Sequence, residues 1–251
     1  MPTVQTTRAV KFLMISCVSL FLIQLIGDTF FGTQIKETLG LVPSRFFERG
    51  SVWQIFTYMF MHADLFHILF NMLILWMIGS ELEAGWGTKE FVKFYFICGV
   101  AAGLFYLMVQ AFFRGTAINH VPMVGSSGAI YGLLVAYGII YSERQMLFMM
   151  VFPMKAKHFV FILAGIEFIS TVFYTNSGIA NAAHLGGMIV GFTYLLLKAY
   201  FRIRKKQKGL PPQKRRKLRT SHLKLIVNNN EIFKEFDDDD DESQDDEPTI
   251  H

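Results

Sequence analysis

Charge is what this sequence has least of. Asp, Glu, Lys and Arg make up 18% of its 251 residues, against about 25% in a soluble globular domain. Cysteine is nearly absent: Cys17 and Cys98 both sit in apolar runs, which argues against a disulfide framework and against a zinc site. What is abundant is apolar surface: 52% of the chain, with 26 Phe and a mean hydropathy of +0.36. A chain this short cannot bury so much in one compact core. A cytosolic globular enzyme and an extended disordered chain are both excluded, and a multispanning membrane protein remains.

The scarce charges are segregated. From Lys198 to Arg219 the chain is basic, and from Asp237 to Glu247 it is acidic, whereas the first two hundred residues carry few charges, clustered in short intervals. This places a boundary near residue 200, between a membrane body (1–200) and a polar tail (201–251). The basic stretch suits anionic lipid headgroups, and nucleic acid is not an expected partner. The acidic run is poor in apolar residues and is expected to be disordered.

A hydrocarbon core about 30 Å thick needs about 20 helical residues. Six runs qualify as candidates, near Phe12–Phe31, Phe56–Gly79, Phe94–Phe113, Ser127–Tyr141, Phe159–Tyr174 and Ile179–Leu197, the fourth and fifth being short. The first has no small-residue cleavage pattern after it and reads as a retained helix. With both termini cytoplasmic, 20 of the 24 Lys and Arg residues lie inside, and only Lys36, Arg45, Arg49 and Arg114 outside. The tail dominates that contrast. The fold class expected is all-α, a six-helix transmembrane bundle with a disordered charged cytoplasmic tail.

Polar groups inside such a bundle are expensive and need a reason. The second run carries His67 and Asn71 at a spacing of four, on one helix face. The fourth opens with Gly125-Ser126-Ser127-Gly128, and the sixth carries His184. Counted from the cytoplasmic ends at about 1.5 Å per residue, His67, Ser127 and His184 fall at roughly 20, 22 and 21 Å, one common level. Gly128, Gly132 and Ala136 in the fourth run face a matching row of Ala183, Gly187 and Gly191 in the sixth, and small rows of this kind let helices approach closely in lipid. Close contact would bring the Ser127 hydroxyl to the His184 imidazole.

A serine becomes a nucleophile when a base takes its proton, and the resulting oxyanion needs fixed donors. The Ser127 backbone N–H, Asn71 and His67 are the candidate donors, and Tyr131, one turn below Ser127, could pack its ring on His184. No acidic residue falls at this level, so a dyad and not a triad is expected. Glu167 in the fifth run falls roughly 15 Å from the cytoplasm, a turn lower, and is expected to be buried, neutral or hydrogen-bonded, without orienting the histidine. A proton or ion pathway is the competing reading of Glu167. Ser and Gly also line helix interfaces without chemistry. His67 and Asn71 could bridge helices structurally. His62 reads as a loop-fixing hydrogen bonder and Glu83 as a capping or loop-ordering residue. No carboxylate–histidine cluster has metal-ligand spacing, so no cofactor is expected.

Together His62, His67-Ile-Leu-Phe-Asn71, Leu82-Glu83 followed by Trp86-Gly87, Gly-Ser-Ser-Gly with Tyr131, and Ala183-His184-Leu-Gly-Gly with Gly191 resemble the rhomboid family of intramembrane serine proteases, over roughly residues 50–195. The resemblance implies a six-helix bundle with a water-filled cavity open to the outside. It implies Ser127 as nucleophile, His184 as base, and His67, Asn71 and the Ser127 amide around the oxyanion. Its implied substrates are single-pass or multi-pass membrane proteins, cut near the outer ends of their helices. The family's Trp-Arg pair in the first outer loop reads Trp53-Gln54 here, which bears on how that loop is anchored. The rival readings are a catalytically silent rhomboid-like scaffold that binds client helices and, resting on Glu167, a small transporter. A bacterial plasma membrane is the default location.

Overall fold

The computed structural model describes residues 5–113, 122–148, 152–173 and 178–208. Helix α1 (Arg8–Phe30) is followed by the short α2 (Ile35–Leu39), α3 (Pro43–Arg49) and α4 (Gln54–Thr57). A 3₁₀ turn at Tyr58–Phe60 leads to α5 (Leu65–Ile74), which runs through a π-helical turn, Leu75–Gly79, into α6 (Ser80–Trp86). Then come α7 (Thr88–Phe113) and α8 (Ser127–Ile140). Strands β1 (Gln145–Phe148) and β2 (Phe152–Lys155) precede α9 (Ala156–Phe173) and α10 (Gly178–Lys208).

Among the described residues, four helical stretches are long and apolar enough to cross a membrane: Arg8–Phe30, Leu65–Trp86, Thr88–Phe112 and Asn181–Lys205. Ser127–Ile140 is apolar but shorter. The second crossing starts later than the apolar run beginning at Phe56 suggests, because Met61 to Asp64 leave the helix before Asp64 caps the new one. The Asp64 side chain accepts the His67 N–H at 2.9 Å, an N-cap that fixes where the helix carrying His67 and Asn71 begins.

Helix α1 shows why apolar residues lie on both of its sides. Val10, Leu13, Cys17 and Phe21 are buried at helical spacing, whereas Phe12, Ile15, Leu22 and Ile26 are exposed. In water that outer face would be a liability; in hydrocarbon it is matched to its solvent. Glu83 holds the start of this helix from 74 residues away, its carboxylate accepting the N–H groups of Ala9 and Val10 at 3.0 Å each. The Thr7 and Thr88 hydroxyls donate to the same carboxylate, so the capping expected of Glu83 is found, with two free helix-end amides and two hydroxyls as donors.

Helix α8 is the centre. Eleven of its 14 residues are buried, so it meets protein on nearly every side and need not match the bilayer's thickness alone. Its small row packs as the sequence predicts: a Cβ on Gly187 of α10 would fall 2.0 Å from the Gly128 carbonyl oxygen, and one on Gly191 3.0 Å from the Gly132 Cα. On the α7 side a Cβ at Gly132 would meet Cys98 at 2.6 Å.

Two features depart from the expected fold. An all-α bundle does not include the antiparallel hairpin of β1 and β2, registered Gln145↔Lys155 to Phe148↔Phe152. At its base Glu143, hydrogen-bonded by Lys155 and Lys157, is held down at a pKa of about 2. The Gln54 substitution does not loosen the outer loop: Gln54 is fully buried, accepts the Val42 N–H at 3.1 Å, and donates to the Glu37 and Thr38 carbonyls at 3.1 Å each. Trp53 donates its indole N–H to Thr38 O at 3.1 Å. A neutral amide, with both donors and an acceptor, ties the loop's backbone.

By packing, Met1–Leu196 and Leu197–His251 are separate units. The described part of the second is the end of α10, residues 197–208; the basic and acidic runs beyond it lie outside the described residues.

Candidate active site

Ser127 begins α8 directly after Gly125 and the buried Ser126. Gly125 has φ +115°, and a Cβ there would lie 2.7 Å from the His67 ring and 3.5 Å from the Asn71 amide nitrogen. Both the backbone conformation and the close approach of α5 therefore demand glycine. The Gly125 N–H donates to Tyr58 O at 2.9 Å, and Tyr58 in turn donates its hydroxyl to Gly99 O at 2.6 Å. The turn ahead of Ser127 is thus tied to the outer segment on one side and to α7 on the other. As the first residue of the helix, Ser127 presents a backbone N–H without an intrahelical partner, at the positive end of the helix dipole.

Across the tight contact between α8 and α10, Ser127 Oγ lies 2.8 Å from His184 Nε2. The Tyr131 ring lies flat on the imidazole, with centroids 4.4 Å apart and planes inclined by 15°. His184 is therefore in direct contact with both Ser127 and Tyr131. Because the Gly187 Cα lies against the Gly128 carbonyl, the two backbones are close enough for a short hydroxyl to reach an imidazole without either side chain stretching.

His67 and Asn71 stand on the other side of Gly125, as their spacing of four predicts. Asn71 is buried, and its amide nitrogen has no hydrogen-bond partner among the described residues. A buried unpaired donor is costly, and this one lies beside the turn that carries Ser127. His67 Nδ1 accepts a long, 3.5 Å hydrogen bond from the Ala63 N–H. With Nδ1 accepting, a neutral ring would carry its proton on Nε2, and Nε2 and Cε1 form the ring edge that approaches Gly125.

The expectation for Glu167 holds for its burial and hydrogen bonding and fails for its separation from the histidine. Glu167 is buried as foreseen, but its Oε1 lies 3.1 Å from His184 Nδ1 and accepts the Tyr131 hydroxyl. An acidic side chain does reach the histidine. Depth counted along helix axes treats side chains as points. Here the imidazole stacked on Tyr131 meets Ser127 at Nε2 and Glu167 at Nδ1, and the length of the glutamate side chain covers the rest of the turn. The support that Asp64 gives the helix carrying His67 was not read from the sequence. Asp three residues before His67 carries the N-cap signature, which could have found it. Among the described residues, no group of three or more His, Cys, Asp or Glu could hold a metal ion.

A family model described as the Rhomboid domain matches residues 49–201, more than half of the chain. The chain belongs to the rhomboid family. Among its relatives, the Rhomboid protease GluP of Bacillus subtilis is 24% identical over 72% of this chain and 32% of its own length. Rhomboid protein 1, mitochondrial, of Saccharomyces cerevisiae is 30% identical over 54% of this chain and 38% of its own. The Rhomboid protease GlpG of Salmonella paratyphi A is 31% identical over 56% and 46%. The chain thus spans roughly a third to a half of the length of these curated relatives. With its apolar crossings, this rhomboid is an integral, multi-pass membrane protein.

Proposed function

We propose that this rhomboid is a serine endopeptidase that cuts membrane-helix substrates within the bilayer, near their outer ends. The observation that carries the reading is the 2.8 Å approach of Ser127 Oγ to His184 Nε2 from two different helices. The names of the relatives, rhomboid proteases in bacteria, point the same way. In this reading α8 and α9 are the two further crossings that make six, both termini are cytoplasmic, and the basic tail rests on anionic headgroups.

In the reaction, His184 Nε2 takes the Ser127 hydroxyl proton as Oγ bonds to the scissile carbonyl carbon. The carbonyl π electrons move onto oxygen, where the Ser127 N–H, the Asn71 amide and His67 Nε2–H stabilise them. When the oxyanion collapses, the C–N bond breaks and the proton passes from Nε2 to the departing amine, leaving an acyl ester on Ser127. A water molecule then repeats the sequence: it loses a proton to Nε2, attacks the ester carbon, and releases Ser127 Oγ with that proton restored.

The test is cleavage of a membrane-helix reporter by purified protein in detergent or liposomes. Ser127→Ala and His184→Ala are each expected to abolish turnover, and a fluorophosphonate is expected to label Ser127 of the unaltered protein. Cleavage that survives in either variant refutes the assignment. An unlabelled Ser127 together with no cleavage would favour a scaffold that binds client helices.

A further inference from the structure

Behind the Ser127–His184 pair stands a carboxylate that the two-residue mechanism leaves unused. The Glu167 side chain, 9% exposed, reaches from α9 with its Oε1 3.1 Å from His184 Nδ1, the ring nitrogen on the far side from Ser127. The same oxygen accepts the hydroxyl of Tyr131, whose ring covers the imidazole face. Three helices therefore meet on one imidazole: α8 through the serine and the tyrosine, α9 through the carboxylate, and α10 through the histidine itself. A carboxylate inside an apolar bundle is costly unless it is paired, and among the described residues its side chain meets these two.

A neutral imidazole carries one N–H, and the group facing one nitrogen decides which. With a carboxylate facing Nδ1, the proton belongs there, and the Nε2 lone pair is left for the serine hydroxyl. In the opposite tautomer Nε2 already carries a hydrogen and cannot take the proton of Ser127. At rest the Nδ1–Oε1 approach is close but off the N–H axis. Contacts of this kind commonly tighten only when charge develops. As the proton leaves Ser127, the ring becomes a cation directly beside Glu167.

We infer that Glu167 is a positioning residue that acts through His184, holding it in the Nδ1–H tautomer and pairing with the imidazolium during attack, with Tyr131 fixing the carboxylate. This inference rests on the reading of Ser127 as nucleophile and His184 as base.

The experiment compares steady-state cleavage of a membrane-helix reporter by the full chain and by Glu167→Gln, with Ser127→Ala alongside. Replacing the carboxylate behind a catalytic histidine by its amide costs up to about 10⁴-fold in other serine hydrolases. The expected loss in Glu167→Gln is about 10²–10⁴-fold in kcat, with KM within about threefold of the unaltered protein. A Glu167→Gln protein within about threefold of normal kcat, while Ser127→Ala is dead, overturns the role of Glu167 and leaves the nucleophile assignment standing. A Ser127→Ala protein that still cleaves sinks the underlying reading instead. Should Glu167→Gln not fold, ¹⁵N-histidine NMR of the unaltered protein decides, with the His184 signal assigned by its loss in His184→Ala. A resting Nδ1–H imidazole supports the inference, and a resting Nε2–H imidazole overturns it.

Discussion

Asn71 contributes a buried amide nitrogen with nothing described to bond, a costly arrangement unless something fills it during the reaction. If that something is the oxyanion, Asn71→Ala should reduce kcat by about 10²–10³-fold, less than loss of the nucleophile, with KM little changed. Kinetics on the membrane-helix reporter measure this, and a folded Asn71→Ala protein as inactive as Ser127→Ala would remove Asn71 from the role. At this scale Ser127 and His184 were legible in the sequence because a polar residue in an apolar run has few reasons to exist and their depths coincide, and Tyr131 because it stands one turn below Ser127 on the same helix. Glu167 broke the same rule and was noticed. Its partners were missed because a glutamate's reach and a stacked ring's width bridge a helical turn that residue counting keeps apart.

Between elements, the decisive contact is backbone against backbone. A Gly187→Ala methyl would fall 2.0 Å from the Gly128 carbonyl oxygen, and a carbonyl cannot rotate aside as a side chain can. The α8–α10 seam would have to open, at a cost on the order of 1–3 kcal/mol. The expected result is a lowered thermal unfolding midpoint together with lost cleavage, since the serine and histidine ride on opposite sides of that seam. Gly165→Ala in α9 is the control: a Cβ there meets nothing within 4 Å, and alanine favours the helix by about 1 kcal/mol, so its midpoint should hold or rise. Equal midpoints for the two variants would contradict this account. The small-residue rows showed in the sequence because spacing four is a helix's own period. The hairpin before α9 did not, since an apolar stretch such as Met146–Met154 reads equally as strand or helix. Nor did the π turn at Leu75–Gly79, which leaves the apolar pattern unbroken.

Across the whole molecule, His62 ties α1 to the helix that carries His67. It is fully buried, exchanges backbone hydrogen bonds with the Gln24 side chain at 2.8 and 3.3 Å, and packs edgewise on Phe21. Its fixing role was legible; that it works through its backbone was not, because the ring draws the eye. Burial, with a smaller contribution from His67, pushes the His62 imidazole down from 6.5 to about 4. The folded protein therefore resists protonating it where the unfolded chain does not. This contribution to stability is intact above about pH 6.5 and drains away as the pH falls towards 4. The thermal midpoint in detergent should decline across that window, and less steeply in His62→Gln; identical slopes would show that His62 is not responsible. The Glu83 clasp on α1 carries its own consequence for dissecting the protein. The family match starts at residue 49, yet a fragment cut there would leave an acidic group that is 3% exposed without the two amides of Ala9 and Val10 that bind it. The smallest autonomous piece of this molecule must begin upstream of the region that identifies it.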